Sequence, residues 1–499
     1  MKKKIFIFQQ REWANRIGVH LAKKFREDNF ELGCLTFKRS THYNIINDKK
    51  INYELIISND DIYESPEKFI NIDVDIETMC EQLNIKSIWE LIYSDRDLSN
   101  SYDSSLHFSF KKQLSDQYVI DVFKAIYNVC LNVYNNFKPD IILAPNFPAL
   151  THLVFFHFFK KKNIKMLGMN DTKVGDYQAI SFDYNHTEGM FHLQYDKINE
   201  KNFLNENKIN YIIDNFYESK FYSYSPFNIN TFLKQLTRDF VRDILESLKS
   251  NFNKIKRINQ SKIFVTQAKK LVPTVRFYIV KIFNIISERF IKYDEIKIND
   301  NFAYMPLQFQ PEASIDIQSV NYSNQIETAR QIAMRLPNKM CLYVKDHPAM
   351  YGLRKKSYLL KIKSLPNVKL IDFRISTKEI LEKSKILISA TGSTFFEAAI
   401  LRKSSILLGS LGDIIKLPNV EKLDEFSNLQ SMILKKLDEE LNTTEYTFKL
   451  KKYIEAAIVS GFDENYVRVW EKNVQPKEEE INYIYQKLYD CINLVTNKI

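Results

Sequence analysis

The chain has 499 residues, too many for a single hydrophobic core, and 45% of them are hydrophobic, which is enough to fill two main domains. Its formal net charge of +10 comes with Lys, Ile, Asn, Phe and Tyr enriched together and with no arginine-rich stripe or recognition motif. The charge therefore reads as compositional drift, and nucleic acid is excluded as the expected partner.

In chain order, "MKKKIFIFQQREW" has a basic start but an apolar run of only four residues before Gln9, too short for a secretory signal. "KKIFIFQ" predicts a buried strand, "NRIGVHLAKKFRE" an amphipathic helix and "FELGCLTF" a second strand, which together spell a βαβ unit. After a polar stretch, "DQYVIDVFKAIYNVCLNVYNNF" predicts a helix, "KPDIILAP" a strand, "LTHLVFFHFFKKKN" a helix and "IKMLGMND" a short strand. The longest apolar run, Leu153 to Phe159, is far below the roughly 20 residues that span a bilayer. Residues 202–255 read as helical and charged. Residues 256–298 read as a basic helical segment interrupted by Pro273, either an insertion with solvated lysines or a peripheral surface for anionic lipid.

A second βα series follows in "NFAYMPLQ", "KMCLYVKDHP", "NVKLIDF", "KILISATG" and "SSILLGS", five strands that predict a second doubly wound domain. Beyond about Leu417 the chain reads as charged helices. The expected division is an N-terminal Rossmann-like domain (1–255), a basic helical insertion (256–298), a C-terminal Rossmann-like domain (299–416) and C-terminal helices (417–499). The cysteines Cys34, Cys80, Cys130, Cys341 and Cys491 lie far apart without a C-x-x-C pair, which suits a reducing compartment and offers neither a disulfide framework nor a zinc site. These signs point to the cytoplasm, with a peripheral position at the inner face of the cytoplasmic membrane as the extension. Glycine is scarce, 10 in 499 against about 7% in ordinary proteins, and several of the ten follow strand-like runs, where β-to-α turns need them.

Two Rossmann-like domains in sequence, the second with polar strand ends, describe the GT-B architecture, and ligands of such sheets bind beyond the carboxyl ends of the strands. "YMPLQFQPEAS", "LPNKMCLYVKDHP", "LPNVKLID" and "SATGSTFFEAAI" come in this order between Tyr304 and Ile400. In this the chain resembles the capsule polysaccharide biosynthesis family, which is related to bacterial β-Kdo transferases. "QQREWANRIGVHLAKKF" and "IKMLGMNDTKVGD" extend the resemblance more faintly into the first half.

The resemblance implies a metal-independent glycosyltransferase with no cofactor. The donor would be a nucleotide-sugar, a CMP-activated ulosonic acid such as Kdo being favoured, and the acceptor a surface glycan or glycolipid. His347, held by Pro348 at a strand end, is suited to donate a hydrogen bond to the donor phosphate, with the charge of Lys345 nearby. Thr391, Gly392, Ser393 and Thr394 stand between strand and helix, where backbone N–H groups and the helix dipole attract an anion. Glu397 has two readings, a carboxylate on the donor ribose or the last member of a capping box begun by Thr394. Gln308, Gln310 and Glu312 are expected to project toward the same crevice. Asp171 is the first candidate for nucleophile or general base and Asp176 the second, with a solvated turn as the alternative. Arg11 and Glu12 are candidates for acceptor contacts or for a surface helix start. Two D-x-D triplets, Asp73/Asp75 and Asp95/Asp97, are too short a pattern in too polar a context to argue for a metal. A nucleotide-sugar epimerase, a polyol-phosphate transferase and a non-catalytic capsule assembly or export factor remain as alternatives.

Overall fold

The computed structural model describes residues 2–48, 51–96, 98–99, 102–103, 107–108, 114–199, 203–218, 227–257, 271–297, 300–463, 466, 468–469 and 475–496. The strands are β1 (Lys4–Gln9), β2 (Glu31–Thr36), β3 (Leu55–Ser58), β4 (Tyr102–Asp103), β5 (His107–Phe108), β6 (Ile141–Leu143), β7 (Lys165–Asp171), β8 (Gln178–Ser181), β9 (Phe302–Pro306), β10 (Cys341–Lys345), β11 (Val368–Ile371), β12 (Ile386–Ser389), β13 (Ser405–Leu407), β14 (Val420–Lys422) and β15 (Gly461–Phe462). Apart from the β4–β5 hairpin they form two sheets, one of seven strands ordered β15-β8-β7-β6-β1-β2-β3 and one of six ordered β11-β10-β9-β12-β13-β14. In the first, β3 through β7 run parallel and the edge pairings of β8 with β7 and with β15 are antiparallel. The second is parallel throughout. Its order reverses between β9 and β12, and that of the first between β1 and β6, which puts a crevice at the carboxyl edge of each sheet.

The near-continuous apolar strands follow from burial on both faces. On β9 and its neighbours Phe302, Tyr304, Tyr343 and Leu387 enter one core while Ala303, Met305, Val344 and Ile388 enter another, the period-2 alternation of a pleated strand. In the first sheet Phe6 and Phe8 pack against the helices Asp116–Asn132 and Leu150–Lys161, and Ile5 and Ile7 against the opposite layer. The helix Leu150–Lys161 is apolar nearly all round because it is wedged between other elements. The helix expected over "DQYVIDVF…" starts where the Ser115 hydroxyl accepts from the Tyr118 N–H and runs to Asn132. It then widens into a single π turn, Val133–Phe137, and ends where Lys138 turns left-handed.

The second series holds six strands, the extra one being β14, whose "VEK" carries no apolar pattern. Pro273 does not interrupt a helix. It lies within the helix Leu271–Glu288 of the described residues. That helix lies against the helix Ile229–Arg257, with the Tyr278 hydroxyl donating to Asp243 Oδ2 at 2.8 Å and the Ser247 and Thr274 hydroxyls 3.3 Å apart. The pair docks on the second sheet's side through Tyr278, Ile285, Tyr351 and Phe373. Residues 258–270 and 298 of the basic segment lie outside the described residues. After β14 the helix Leu429–Leu437 stays with the second sheet, and the helix Thr444–Val459 bridges to the helix Met190–Lys197. Then β15 joins the first sheet, and the helix Glu478–Thr496 packs beside the helix Val19–Glu27.

Candidate functional site

Because β9, β10 and β12 are parallel and in register, with Pro306 beside Lys345 and Tyr304 beside Leu387, their carboxyl ends open on one edge. The first polar residues past those ends are Gln308, Asp346 with His347, and Thr391, which Gly392 follows. Gln308 is buried and ties two strands together: its Nε2 donates to Ser389 Oγ at 3.0 Å, while its backbone N–H is received by Gln325 Oε1 at 2.6 Å. Ser389 Oγ in turn donates to the Thr391 carbonyl at 2.8 Å. Gly392 has φ +113°, and a Cβ there would stand 3.1 Å from Gln308 Oε1, so both conformation and space favour glycine. Gln310 does not project into the crevice. It is buried beneath the loop, donating to the Ser323 carbonyl at 2.9 Å and receiving a bond from Gln325 at 2.8 Å.

Glu397 lies in the first turn of the helix Thr394–Ile400, nearly buried, with Oε2 unpartnered; Thr391 Oγ1 is likewise buried without a partner. Ser393 stands at the N-cap position, and no side chain caps the helix, so the capping box suggested by Thr394 and Glu397 is not formed. Burial raises the Glu397 pKa to about 7 against the opposing pull of Lys345. Burial likewise lowers Lys345, to about 8, against the attraction of Glu397. Lys345 Nζ donates to the Ile375 carbonyl and to Thr377 Oγ1, each at 3.0 Å, so two of its three donors are engaged within the protein.

His347 stands exposed at the mouth of the crevice, its ring 5.9 Å from that of Phe309. Its Nδ1 accepts from the Ala349 N–H at 3.2 Å as Pro348 opens a short 3₁₀ turn, which leaves the proton of the neutral ring on Nε2. Desolvation, and after it the cations Arg354 and Lys345, lower its pKa to about 4. Since the outer edge of the ring meets solvent, the repulsion by the two cations is the firmer cause. Either way the imidazole is neutral near pH 7 and serves as a donor rather than a charge. Beside it, sequence reasoning missed a buried ion pair: Arg354 Nε donates to Asp346 Oδ1 at 3.0 Å, and Arg354 Nη2 to the Gln308 carbonyl at 2.8 Å. Asp346 Oδ1 also receives the His347 N–H at 2.7 Å. The signal was present in "YVKDHPAMYGLR", where a carboxylate ends a buried strand eight residues before an arginine.

From the first domain, Asp171 at the end of β7 keeps a side chain 46% exposed but is held by Lys173, whose Nζ lies 2.9 Å from Oδ2 and whose N–H donates to Oδ1 at 2.8 Å. Asp176 is exposed on the following turn. Asn170 Nδ2 donates across to Asp413 Oδ2 of the second domain at 2.8 Å; burial raises the Asp413 pKa to about 6. Glu312 is exposed, accepts from Ser314 Oγ at 2.9 Å, and is among the carboxylates whose charge raises the Lys173 pKa. The domains meet at backbone distance, for a Cβ on Gly412 would be 2.6 Å from the His186 carbonyl oxygen. Glu12, exposed, pairs with the largely covered Arg16 at 3.6 Å, and the Arg11 side chain lies outside the described residues.

Asp73 and Asp75 do not gather as a pair: Asp75 caps the helix Ile76–Leu83 and Asp73 meets Lys124 at 3.1 Å, while Asp95 is buried against Tyr63 and the Leu150 N–H. Asp97 lies outside the described residues. At the switch point of the first sheet a cavity of 540 Å³ is lined by Gln10, Lys38, Arg39, Asn59, Asp60, Tyr63, Glu64, Arg96 and His152 among others. It was not foreseen, because its lining comes from five stretches far apart in the chain.

No family model matches the chain, and no curated protein matches it. Among solved structures the chain is similar to a β-Kdo 2,7 transferase, KpsC, from Thermosulfurimonas dismutans, at 10% identity over 69% of this chain and 81% of that one with a TM-score of 0.28. It is similar to the UDP-GlcNAc 2-epimerase from Neisseria meningitidis bound to UDP-GlcNAc, at 12% identity over 98% and 100% with a TM-score of 0.25. It is also similar to the UDP-GlcNAc 2-epimerase from Methanocaldococcus jannaschii in complex with UDP-GlcNAc and UDP, at 13% identity over 92% and 100% with a TM-score of 0.24. The two-domain architecture itself, two doubly wound sheets with a helical C-terminal segment, is the one the sequence predicts and stands on the strand orders above.

Proposed function

We propose that the chain is a glycosyltransferase of surface-polysaccharide synthesis that takes a nucleotide-activated sugar at the β9/β12 crevice. The observation that carries this is Glu397 Oε2, a buried carboxylate oxygen without a partner on the strand-to-helix connection that also holds the unpartnered Thr391 Oγ1, at a topological switch point. Buried polar atoms are normally satisfied, and a ribose edge would supply the missing donors. The neutral His347 presents its Nε2–H at the mouth, Gly392 lets backbone approach a phosphate, and Ser393 stands exposed at the helix start. Together with the field of Lys345 these groups would stabilise charge as it develops on the departing phosphate. The acceptor saccharide is read into the mixed-charge cavity of the first sheet, with Arg11 and Glu12 kept as proposed acceptor contacts, and Asp171, ahead of Asp176, is the proposed base.

The order of the four sequence blocks favours a CMP-linked ulosonic acid such as Kdo as the donor. Calorimetric titration with CMP, UDP and GDP, followed by mass spectrometry of a glycan primer with the matching nucleotide-sugars, tests this. Saturable CMP binding with a mass gain on the primer is expected. Nucleotide binding with isomerised or hydrolysed sugar and no acceptor product would make the chain an epimerase, and no nucleotide binding at all would make it an assembly factor.

A further inference from the structure

The helix Leu271–Glu288 and the turn after it expose Ile279, Ile282, Phe283, Ile286 and Phe290, each between 47% and 72% open to solvent. At about 100° per residue these five positions fall within an arc of about 100°, a continuous apolar stripe on one side of the helix. The opposite side is spoken for: Tyr278 and Ile285 enter the core, and Asn284 Nδ2 donates to the Gly352 carbonyl at 3.1 Å. Scattered apolar residues on a surface need no explanation, but an ordered stripe of two phenylalanines and three isoleucines does.

Charge identifies what covers it. Arg276 and Arg289 are exposed and flank the stripe on its two sides, Lys292 is exposed just beyond, and Lys356 Nζ sits 5.6 Å over the ring of Phe290. The one acid of the helix, Glu288, is buried and accepts from the Tyr293 hydroxyl at 3.0 Å. The exposed charge around the stripe is therefore cationic. The paired helix Ile229–Arg257 also exposes Leu233, Val241, Leu245 and Leu248, with Lys234 and Arg238 among them and Arg242 paired with Asp239 at 3.0 Å and Asp243 at 3.5 Å. No helix among the described residues is long and apolar enough to cross a membrane. An apolar stripe bordered by cations on a helix too short and polar to span is the pattern of a helix that lies in the plane of an anionic interface.

We infer that the stripe Ile279–Phe290, with Arg276 and Arg289 at its borders, docks the protein on an anionic lipid surface. The site narrows the expectation drawn from the basic run as a whole: insertion comes from the exposed aromatic and branched side chains, and the cations add electrostatic attraction. The inference is independent of the donor site and of the reaction proposed above.

Co-sedimentation of the full chain with pure phosphatidylglycerol and pure phosphatidylcholine vesicles, at low and high salt, tests it. Wild-type protein is expected to bind phosphatidylglycerol at low salt, less at high salt, and phosphatidylcholine weakly. An Ile279→Ser/Phe283→Ser/Phe290→Ser variant should bind on the order of a hundred-fold more weakly while keeping its melting temperature, since these side chains are exposed. An Arg276→Gln/Arg289→Gln variant should lose about thirty-fold at low salt and little more at high salt. Failure of the wild type to bind phosphatidylglycerol at low salt, or unchanged binding by the triple serine variant, overturns the inference. So does a wild-type dimer that becomes monomeric in the triple variant without any lipid binding, which assigns the stripe to a second copy of the chain.

Discussion

Replacing Glu397 by Gln separates the cost of holding this carboxylate from its use. The carboxyl is nearly buried, one oxygen has no partner, and its pKa rises from the ordinary 4.5 to about 7. A folded-state pKa above the unfolded one means that the folded protein favours the protonated form. The penalty is absent below pH 4.5, grows between 4.5 and 7, and is complete above 7. A displacement of that size corresponds to about 3 kcal/mol. Gln is close in shape to the protonated acid and does not titrate. Glu397→Gln should therefore melt near the wild type at pH 4.5 and several degrees higher at pH 8. The same change should weaken nucleotide binding by about 10- to 150-fold, the worth of a hydrogen bond to a charged acceptor at about 1.5 to 3 kcal/mol. Thermal melts at the two pH values and calorimetric titration with CMP and UDP read both effects. Stabilisation that is the same at both pH values would sink the buried-charge argument, and unchanged nucleotide affinity would sink the ribose reading. No side chain caps this helix, so loss of a cap cannot mimic either outcome.

His347→Ala should keep the wild-type melting temperature and lose at least tenfold in kcat, as expected for one transition-state hydrogen bond. Because the His347 pKa sits near 4, wild-type kcat should show no inflection near 6.5 that vanishes in the variant; finding one overturns the neutral-donor assignment. Arg354→Ala leaves the Asp346 carboxylate buried without its cation and should cost about 3 to 5 kcal/mol in urea denaturation, while Asp346→Asn/Arg354→Met should recover most of it. Asp171→Asn retains an acceptor for the Lys173 N–H, so a loss of about 10²- to 10⁴-fold in kcat with unchanged stability supports a base, and near-normal turnover assigns Asp171 to the turn alone.

Strands with an unbroken apolar run, such as "KIFIFQ" and "CLYVK", were legible because burial on both faces demands such runs. Those set by pairing alone were not. β8, β14 and β15 are short strands of four, three and two residues, the last two at sheet edges. β15 joins β8 because the backbones approach there: a Cβ on Gly461 would be 2.1 Å from the Gln178 carbonyl oxygen. A two-residue match between segments almost three hundred positions apart leaves no local trace, so the return of the chain to the first sheet could not be read. At the site, the polar residues of "VKDHP" and "SATGST" announced a strand end. The directions of the side chains were not announced. Gln310 and Lys345 turn inward because Ser323 and Gln325, Ile375 and Thr377 offer them partners contributed by other loops.

The crossing of the chain bears directly on how a base in one domain is registered against a donor in the other. Asn170 donates to Asp413 at 2.8 Å, and the Thr172 carbonyl accepts from the Tyr453 hydroxyl at 2.9 Å. Asp171 thus sits between two residues that are each bonded to elements packed on the second sheet. Val174, Tyr177 and Phe191 from the first half of the chain share one apolar cluster with Tyr304, Leu387, Phe396 and Tyr453. A rigid-body separation of the sheets would have to break both bonds and open that cluster, so the end of β7, itself a strand of the first sheet, is tied to both sheets. The position of Asp171 relative to the β9/β12 crevice is therefore set by the helix Thr444–Val459 and by Asp413, residues that touch neither a donor nor an acceptor in the proposed reaction.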